Sequence, residues 1–225
     1  AQALQNAAPG EAVLVILAGW RAEEVAEALP TSGLSVSPLE FMDAVRNPPT
    51  GVVPSALQPL TSLEGYLFPG EYRLPRETTL EELIAAILTR FESSVSAEMR
   101  QAFVENGLSL NEAVILASIV QREGVIDEER AMIASVFYNR LAIGMKLDAD
   151  PTAQYAYGYN QTQKTWWTNP LGTAQIEVNS PYNTYVYLGL PPGPICSPGL
   201  SALQAVAYPA ESPYYYFRTR CDGSG

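Results

Sequence analysis

Four successive segments in the middle of the chain combine helical spacing of apolar residues with capping residues, and this block most constrains the fold. Thr79 and Ser109 are predicted N-caps, and Glu112 completes a capping box three residues after Ser109. Asp127 is the predicted cap of the last segment, which Gly144 closes. We therefore expect helices over residues 80–95, 97–105, 109–123 and 127–141.

A shorter strand–helix–helix pattern precedes this block. Val13–Leu17 is β-branched and apolar, which is typical of a buried strand. Arg21–Leu29 repeats apolar residues at helical spacing and is expected to stop at Pro30. A second helix is predicted over Pro38–Arg46, with Ser37 as its N-cap. Such a unit is too small to bury much core by itself.

Residues 47–62 contain four prolines and one glycine, a composition that indicates a linker. We therefore divide the chain into a small unit at 1–50, a linker at 51–62 and a main domain at 63–225, of α+β class. A late strand is predicted at Tyr214–Arg218, followed by a turn sequence. Both ends are expected to continue into sequence that is absent here, including an N-terminal targeting or anchoring segment.

The composition of the 225 residues excludes several mechanisms. The chain has no histidine, so Ser-His-Asp and Cys-His catalysis are impossible and the commonest metal ligand is missing. Cys196 and Cys221 cannot build a zinc site alone; a disulfide and two free thiols are both left open. The net charge of −11 disfavours nucleic acid and anionic lipid as partners. Carboxylates, tyrosines and lysines remain as acid/base groups.

The predicted helix 109–123 places Gln121 at the edge of an apolar stripe. A carboxyl at this position would be half-buried, and burial would raise its pKa into a range suited to proton donation. Glutamine has the shape of glutamate but no proton to give, so on the sequence alone an ordinary boundary glutamine is the more economical interpretation. Glu123 projects from another flank, as expected of a solvated carboxylate, and Arg122 points away from the stripe.

Two polar groups follow in the chain. Asn139 lies in Phe137–Leu141 and can either bind a substrate or serve as a surface or capping residue. If this segment is extended, the side chains of Asp148 and Asp150 point to the same side. Two carboxylates alone supply fewer oxygen ligands than a divalent cation prefers. The commoner use is for Asp150 to cap a helix that begins at Pro151.

Residues 148–213 are rich in Tyr, Trp, Pro, Gly and Asn, which predicts long loops on a rigid scaffold. Stiff Pro-Gly turns hold a backbone near a ligand at small entropic cost, and aromatic rings pack on sugar faces. Aromatic core packing and sugar binding are both left open for the cluster Tyr157, Tyr159, Trp166, Trp167, Tyr182, Tyr185 and Tyr187.

Seven short motifs in order resemble the endolytic murein transglycosylase (YceG-like) family, over residues 63–210. They are Leu63-Glu-Gly-Tyr-Leu-Phe-Pro, Leu116-Ala-Ser-Ile-Val-Gln-Arg-Glu, Ser135-Val-Phe-Tyr-Asn-Arg-Leu, Asp150-Pro-Thr, Tyr182-Asn-Thr-Tyr, Gly189-Leu-Pro-Pro-Gly-Pro-Ile, and Ser197-Pro-Gly with Ala205-Val-Ala-Tyr-Pro-Ala. Residues 12–46 resemble that family's LysM-like module more weakly. The implied fold is a small LysM-like module followed by a largely helical catalytic domain with a loop-rich cleft and short strands.

The resemblance implies an extracytoplasmic, bacterial, single-pass membrane-anchored protein. It would cut the MurNAc–GlcNAc bond of nascent peptidoglycan and leave 1,6-anhydro-MurNAc ends, without metal or cofactor. Its partners would be glycan strands, with cell-wall synthases as further candidates. Gln121 occupies the position of the catalytic glutamate. The residues implied to bind substrate are Glu123, Asn139, Asp150, Thr152, Tyr182, Asn183, Thr184, Tyr185, Pro191, Pro192 and Gly193.

The chain departs from the family pattern at two places. At Gln121 we hypothesise that the natural protein carries glutamate and that this copy is a deliberately inactive variant, with native divergence as the alternative. Transfer of the acid role to Glu123 is less favoured, because that side chain lies on another face. At Leu17-Ala-Gly, where the family tends to carry Pro-Glu-Gly, we expect an effect on the small unit and not on the chemistry.

Three other functions stay open at this point. A protein with the same aromatic and Pro-Gly features could bind glycan without cutting it. A second possibility is a scaffold that regulates wall synthases through its small unit. The third is a metal-dependent hydrolase built on Asp148, Asp150 and Glu123.

Overall fold

A computed structural model of the chain describes residues 10–217. Within them, buried apolar residues from both the small N-terminal unit and the main domain form one continuous hydrophobic cluster, which runs from Ala12 to Ala207. The α+β class is confirmed: helices dominate, and two strands form the only sheet in the described part of the chain.

Strand β1 (Glu11–Ile16) pairs with β2 (Gly70–Pro75) in antiparallel register, from Glu11 opposite Pro75 to Ile16 opposite Gly70. Ala12, Leu14 and Ile16 alternate into the core, which explains why one face of this ribbon is covered. Helices α1 (Ala22–Ser32) and α2 (Pro38–Arg46) pack on each other, and α1 also packs on β1. The strand pairing therefore joins chain segments from both sides of residues 51–62.

The main domain contains seven further helices among the described residues. The predicted caps at Thr79 and Ser109 are confirmed: their hydroxyls accept the N–H groups of Glu82 and Glu112. Helix α5 is buried from Ala113 to Val120, and α9 packs against α4, α5 and α6. The helices are α3 (Leu80–Ser94), α4 (Ala97–Glu105), α5 (Leu110–Glu123), α6 (Arg130–Ala142), α7 (Asp150–Tyr157), α8 (Thr173–Ile176) and α9 (Leu200–Ala207).

Two predicted helix starts are wrong because the carboxylates have tertiary partners. Asp127 lies in a short 3₁₀ turn before α6, and its carboxylate binds the guanidinium of Arg130 and the hydroxyl of Ser201. Asp150 is the first helical residue of α7 and not its cap, and its carboxylate accepts the hydroxyl of Tyr185. In both cases the carboxylate forms no capping hydrogen bond with the first N–H groups of the helix.

The N-terminal unit deviates from prediction in two smaller respects. Helix α1 continues past Pro30 to Ser32 and ends at Gly33, whose φ is 87°. Ser37 stands at the N-cap position of α2, but its side chain forms no capping hydrogen bond.

The strand predicted at Tyr214–Arg218 is absent from the residues that are described there. Its carbonyl groups bind side chains of α6 instead of a neighbouring strand. The Asn139 Nδ2 group donates to the carbonyls of Ser212 and Tyr214 at 2.8 Å each. The Arg140 Nε group donates to the Tyr215 carbonyl at 2.6 Å. Arg218 and Cys221 lie outside the described residues, so a disulfide at Cys196 stays a prediction.

No single helix within residues 10–217 has the length and apolar character to cross a membrane. Helices α4 and α5 meet that test only as a pair, and a bend of 90° separates them.

Candidate active site

The last three residues of α5 point toward three different segments of the protein. Gln121 contacts the start of α9, Arg122 contacts the aromatic segment after α7, and Glu123 faces the start of α7. Successive helical residues are separated by about 100°, so one helix end can reach three neighbours at once. The end of α5 is therefore the meeting point of segments that are far apart in the sequence.

Gln121 is half-buried, as its place at the edge of the stripe predicts. Its Oε1 accepts the N–H of Gly199, the residue that precedes α9, at 2.9 Å. A Cβ at position 199 would lie 3.2 Å from this oxygen and 3.3 Å from the Cβ of Ala18. Position 199 therefore leaves little room for a side chain beside the Gln121 head group.

The loop after β1 forms one wall of this site. The Gly19 N–H donates to the Ser197 carbonyl at 2.8 Å, and the Ser197 N–H donates to the Trp20 carbonyl at 2.7 Å. A Cβ at Gly19 would lie 3.8 Å from Cγ of Gln121. The departure at Leu17-Ala-Gly therefore lies beside position 121, and its expected lack of effect on the chemistry stays a prediction.

Arg122 is covered by an aromatic ring. Its guanidinium stacks on Trp167 at 3.8 Å from the ring centroid, a cation–π contact. Burial lowers the pKa of Arg122. The Trp167 Nε1–H group donates to Glu24 of α1 at 3.0 Å. Sequence reasoning missed this link, although the Trp166-Trp167 pair within a polar loop was a visible signal.

Glu123 is not the solvated carboxylate that the sequence predicted. It faces a cavity of about 170 Å³. Burial, followed by the nearby carboxylate of Asp150, raises the pKa of Glu123 to about 7, while Arg140 acts in the opposite direction. At neutral pH a large fraction of this side chain therefore carries a proton. The lining is Glu123, Phe137, Arg140, Leu147, Asp148, Asp150 and Phe217.

Three carboxylates line this cavity, yet within the described residues no group of three or more His, Cys, Asp or Glu side chains could hold a metal ion. Asp150 is held by the Tyr185 hydroxyl, and burial raises the pKa of that hydroxyl above its usual range. Asp148 adopts a positive φ of 45°. The described residues therefore do not support the alternative of a metal-dependent hydrolase built on Asp148, Asp150 and Glu123.

Several predicted substrate-binding residues support the backbone. The Thr152 hydroxyl bonds to the Thr184 hydroxyl at 2.8 Å, and Thr184 Oγ1 accepts the N–H of Ala149 at 3.0 Å. Asn183 is fully buried, and its amide donates to the carbonyls of Ile176 and Val178. These three buried side chains hold the loop in place, and their role in binding substrate stays a prediction.

Other predicted residues form a separate aromatic group. Tyr182 packs on Tyr155 with ring centroids 4.8 Å apart. A Cβ at Gly193 would lie 2.9 Å from the Tyr182 hydroxyl, so the Pro-Gly loop crosses directly over this ring. Pro191 is buried and Pro192 is exposed. The site residues thus form three groups: Gln121, the cavity at Glu123 and Asp150 with Tyr185 bound to Asp150, and the contact between Tyr182 and Gly193. The Asn139 amide binds the carbonyl groups of residues 212 and 214.

Replacing Glu123 with glutamine is expected to flatten the pH dependence of stability. The folded chain keeps a proton on Glu123 up to about pH 7, whereas an unfolded glutamate releases it near pH 4.5. The free energy of unfolding therefore falls as pH rises through this window. Thermal unfolding from pH 5 to 7.5 should show a smaller decrease in Tm for Glu123→Gln than for the parent. Glu105→Gln, at an exposed carboxylate of α4, is the matched control; equal slopes for all three proteins would show that Glu123 is solvated.

Known proteins support the family assignment. The YceG-like family model matches residues 1–225. An endolytic murein transglycosylase of Bacillus subtilis (strain 168) is 36% identical over 162 residues, which is 72% of this chain and 43% of that protein. One of Streptococcus pneumoniae (strain D39) is 37% identical over 155 residues, 69% of this chain and 28% of that protein. This chain thus spans less than half the length of these curated relatives.

A solved structure agrees with the sequence comparisons. The 2.6 Å crystal structure of a yceG-like protein from Listeria monocytogenes superposes with a TM-score of 0.78 at 31% identity. The match covers 96% of this chain and 72% of that one. The resemblance inferred from the seven motifs is confirmed, and the chain belongs to the YceG-like family.

Proposed function

We propose that this protein binds peptidoglycan glycan strands at the end of α5, in the manner of an endolytic lytic transglycosylase, and that it does not cut them as written. Support comes from the family membership and from relatives that are named endolytic murein transglycosylases. The observation that carries the proposal is the position of Gln121. Its carboxamide is fixed by the Gly199 N–H at a half-buried helix end, where three segments converge.

The proposed chemistry needs one carboxyl group. Ordinary glycosidases use two carboxylates, one as acid and one as nucleophile or water-activating base. In a lytic transglycosylase the 6-hydroxyl of MurNAc attacks its own anomeric carbon as the bond to the leaving oxygen breaks. One carboxyl can protonate that oxygen and then accept the proton of the 6-hydroxyl. A glutamate at position 121 could accept the Gly199 N–H with one oxygen and present the other to the substrate.

With glutamine at this position, the site is expected to bind the glycan without cleaving its glycosidic bond. The carboxamide Nε2 group can donate hydrogen bonds to a glycosidic oxygen or a hydroxyl, but it cannot release a proton at physiological pH. Binding is therefore retained while protonation of the leaving oxygen is lost. The hypothesis of a deliberately inactive copy remains, but Ala18 departs from the family pattern at the same place, which favours divergence of the whole site.

The remaining attributes are part of the same proposal. We assign the chain to the extracytoplasmic side, on an N-terminal single-pass anchor outside the sequence given. Residues 1–50 would form the LysM-like unit, residues 51–62 the linker and residues 63–225 the catalytic-type domain. Cell-wall synthases remain candidate partners.

The test is binding without cleavage. Calorimetry with uncrosslinked, stem-free glycan strands is expected to show binding by the chain as written, while mass spectrometry shows intact strands. Gln121→Leu should weaken binding by about fivefold, because roughly 1 kcal/mol is typical for loss of a ligand hydrogen bond. Gln101→Leu, on the exposed face of α4, should leave affinity unchanged. Absence of a calorimetric binding signal with these strands at millimolar concentration would refute the proposal.

A further inference from the structure

Glu64 is a carboxyl group buried in the interior, with only 6% of the residue exposed. Its Oε2 accepts the N–H of Ala22, in the first turn of α1, at 3.2 Å. Its Oε1 is buried and has no hydrogen-bond partner among the described residues. A buried carboxylate oxygen without a partner is costly, so the arrangement favours a proton on Oε1.

Glu64 lies beneath an interface that we call the α1 seam, formed by Arg21–Glu27 against Tyr155–Trp167. The Arg21 guanidinium lies 4.1 Å from the Tyr155 ring centroid and 4.6 Å from that of Trp166. The indole N–H groups of Trp166 and Trp167 donate to Glu27 and Glu24 of α1. The position of α1 is therefore tied to the aromatic segment at several points.

The charges around Glu64 do not compensate its ionisation. Among the described residues, the cation that acts on Glu64 is Arg21, and it already donates two hydrogen bonds to the carboxylate of Glu23. Burial, followed by the negative charge of Glu23, raises the pKa of Glu64 to about 8, against the opposing effects of the Ala22 N–H and Arg21. The other titratable groups that face it are Tyr155, Tyr182 and Cys196, and burial raises the pKa of each.

Contacts lead from Glu64 to the candidate active site along two paths. In the α1 seam, Trp167 stacks on Arg122, which directly follows Gln121. On the other side, Gly65 packs against Pro194 in the loop that crosses Tyr182 at Gly193. A shift of α1 or of residues 63–66 would therefore reach both walls of the site.

We propose that Glu64 is a positioning residue: in its protonated form it holds the α1 seam in the arrangement that shapes the site around position 121, and its ionisation loosens that seam. Glu64 acts through the residues of the seam and does not touch substrate. Its effect on ligand binding rests on the proposed function, whereas its effect on the seam does not.

Tryptophan fluorescence tests the seam directly, because Trp166 and Trp167 both belong to it. Between pH 6 and 9 the chain is expected to show an emission change with a midpoint near pH 8. Glu64→Gln, which is isosteric with the protonated acid, should remove this change. Glu40→Gln, at an exposed carboxylate of α2, should retain it. A transition that persists in Glu64→Gln, or that the parent lacks, would overturn the proposal.

Glycan binding then tests whether the seam acts on the site. From pH 6.5 to 9, affinity for stem-free strands should fall about tenfold more for the parent than for Glu64→Gln, because the ionisation of Glu123 is common to both proteins. Equal pH dependence in both proteins, with the fluorescence change present, would overturn the positioning role. If neither protein binds at either pH, the proposed function fails, and the fluorescence comparison still decides whether Glu64 controls the seam.

Discussion

Gln121→Glu is expected to convert this chain into an enzyme that releases glycan fragments ending in 1,6-anhydro-MurNAc. A positioned general acid typically contributes about 10²–10⁴-fold in rate, so the parent should be slower by at least this factor. The glutamate can use the same Gly199 N–H that now holds the carboxamide. Mass spectrometry of unprocessed glycan strands after digestion gives the measurement.

A matched variant separates the effect of position from that of charge. Gln101→Glu adds the same negative charge on an exposed part of α4 and should produce no fragments. Equal cutting by the parent and Gln121→Glu would move the acid role to Glu123, whose raised pKa leaves it partly protonated at neutral pH. If neither protein cuts, the site does not perform this reaction in the chain as given, and a glycan-binding role without chemistry takes its place.

The helices were predictable where local chemistry decides them. Thr79 and Ser109 cap their helices because the hydroxyl and the following glutamate are close in sequence and need no distant partner. Asp127 and Asp150 carry the same local signal, but their carboxylates bind other side chains. Asp127 binds Arg130 and the distant Ser201, and Asp150 binds the distant Tyr185. At these two positions the carboxylate binds a distant hydroxyl, of Ser201 or Tyr185, and the local sequence carries no information about that partner.

The half-buried position of Gln121 could be predicted from the sequence, but the segments that surround it could not. The apolar stripe placed Gln121 at a half-buried edge, and the structure agrees. The contacts with Ala18, Gly19 and Gly199 join residues that are about 80 to 100 positions from Gln121 along the chain, and helical spacing carries no information about them. Glu64 escaped notice for a related reason: a lone acid in an aromatic segment gives no sign of whether it is buried.

Gly65→Ala is expected to destabilise the fold strongly. Gly65 has a φ of 84°, a conformation that costs other residues about 1–2 kcal/mol. A Cβ there would also lie 2.4 and 2.5 Å from the Cβ and Cγ of Pro194, a ring that cannot rotate away. Overpacking adds about 1–3 kcal/mol, which gives a total loss of roughly 2–5 kcal/mol in the free energy of unfolding.

Gly107→Ala isolates the contribution of the close contact. Gly107 has nearly the same φ, 81°, but a Cβ there would meet nothing within 4 Å. It should lose only the roughly 1–2 kcal/mol of backbone strain, so urea unfolding should give a clearly lower midpoint for Gly65→Ala. Equal midpoints would mean that residues 63–66 do not press against the Pro-Gly loop, which would break one of the two paths from Glu64 to the site. The difference between the two urea midpoints therefore measures the contact between Gly65 and Pro194, which joins the segment that carries Glu64 to the loop beside Tyr182.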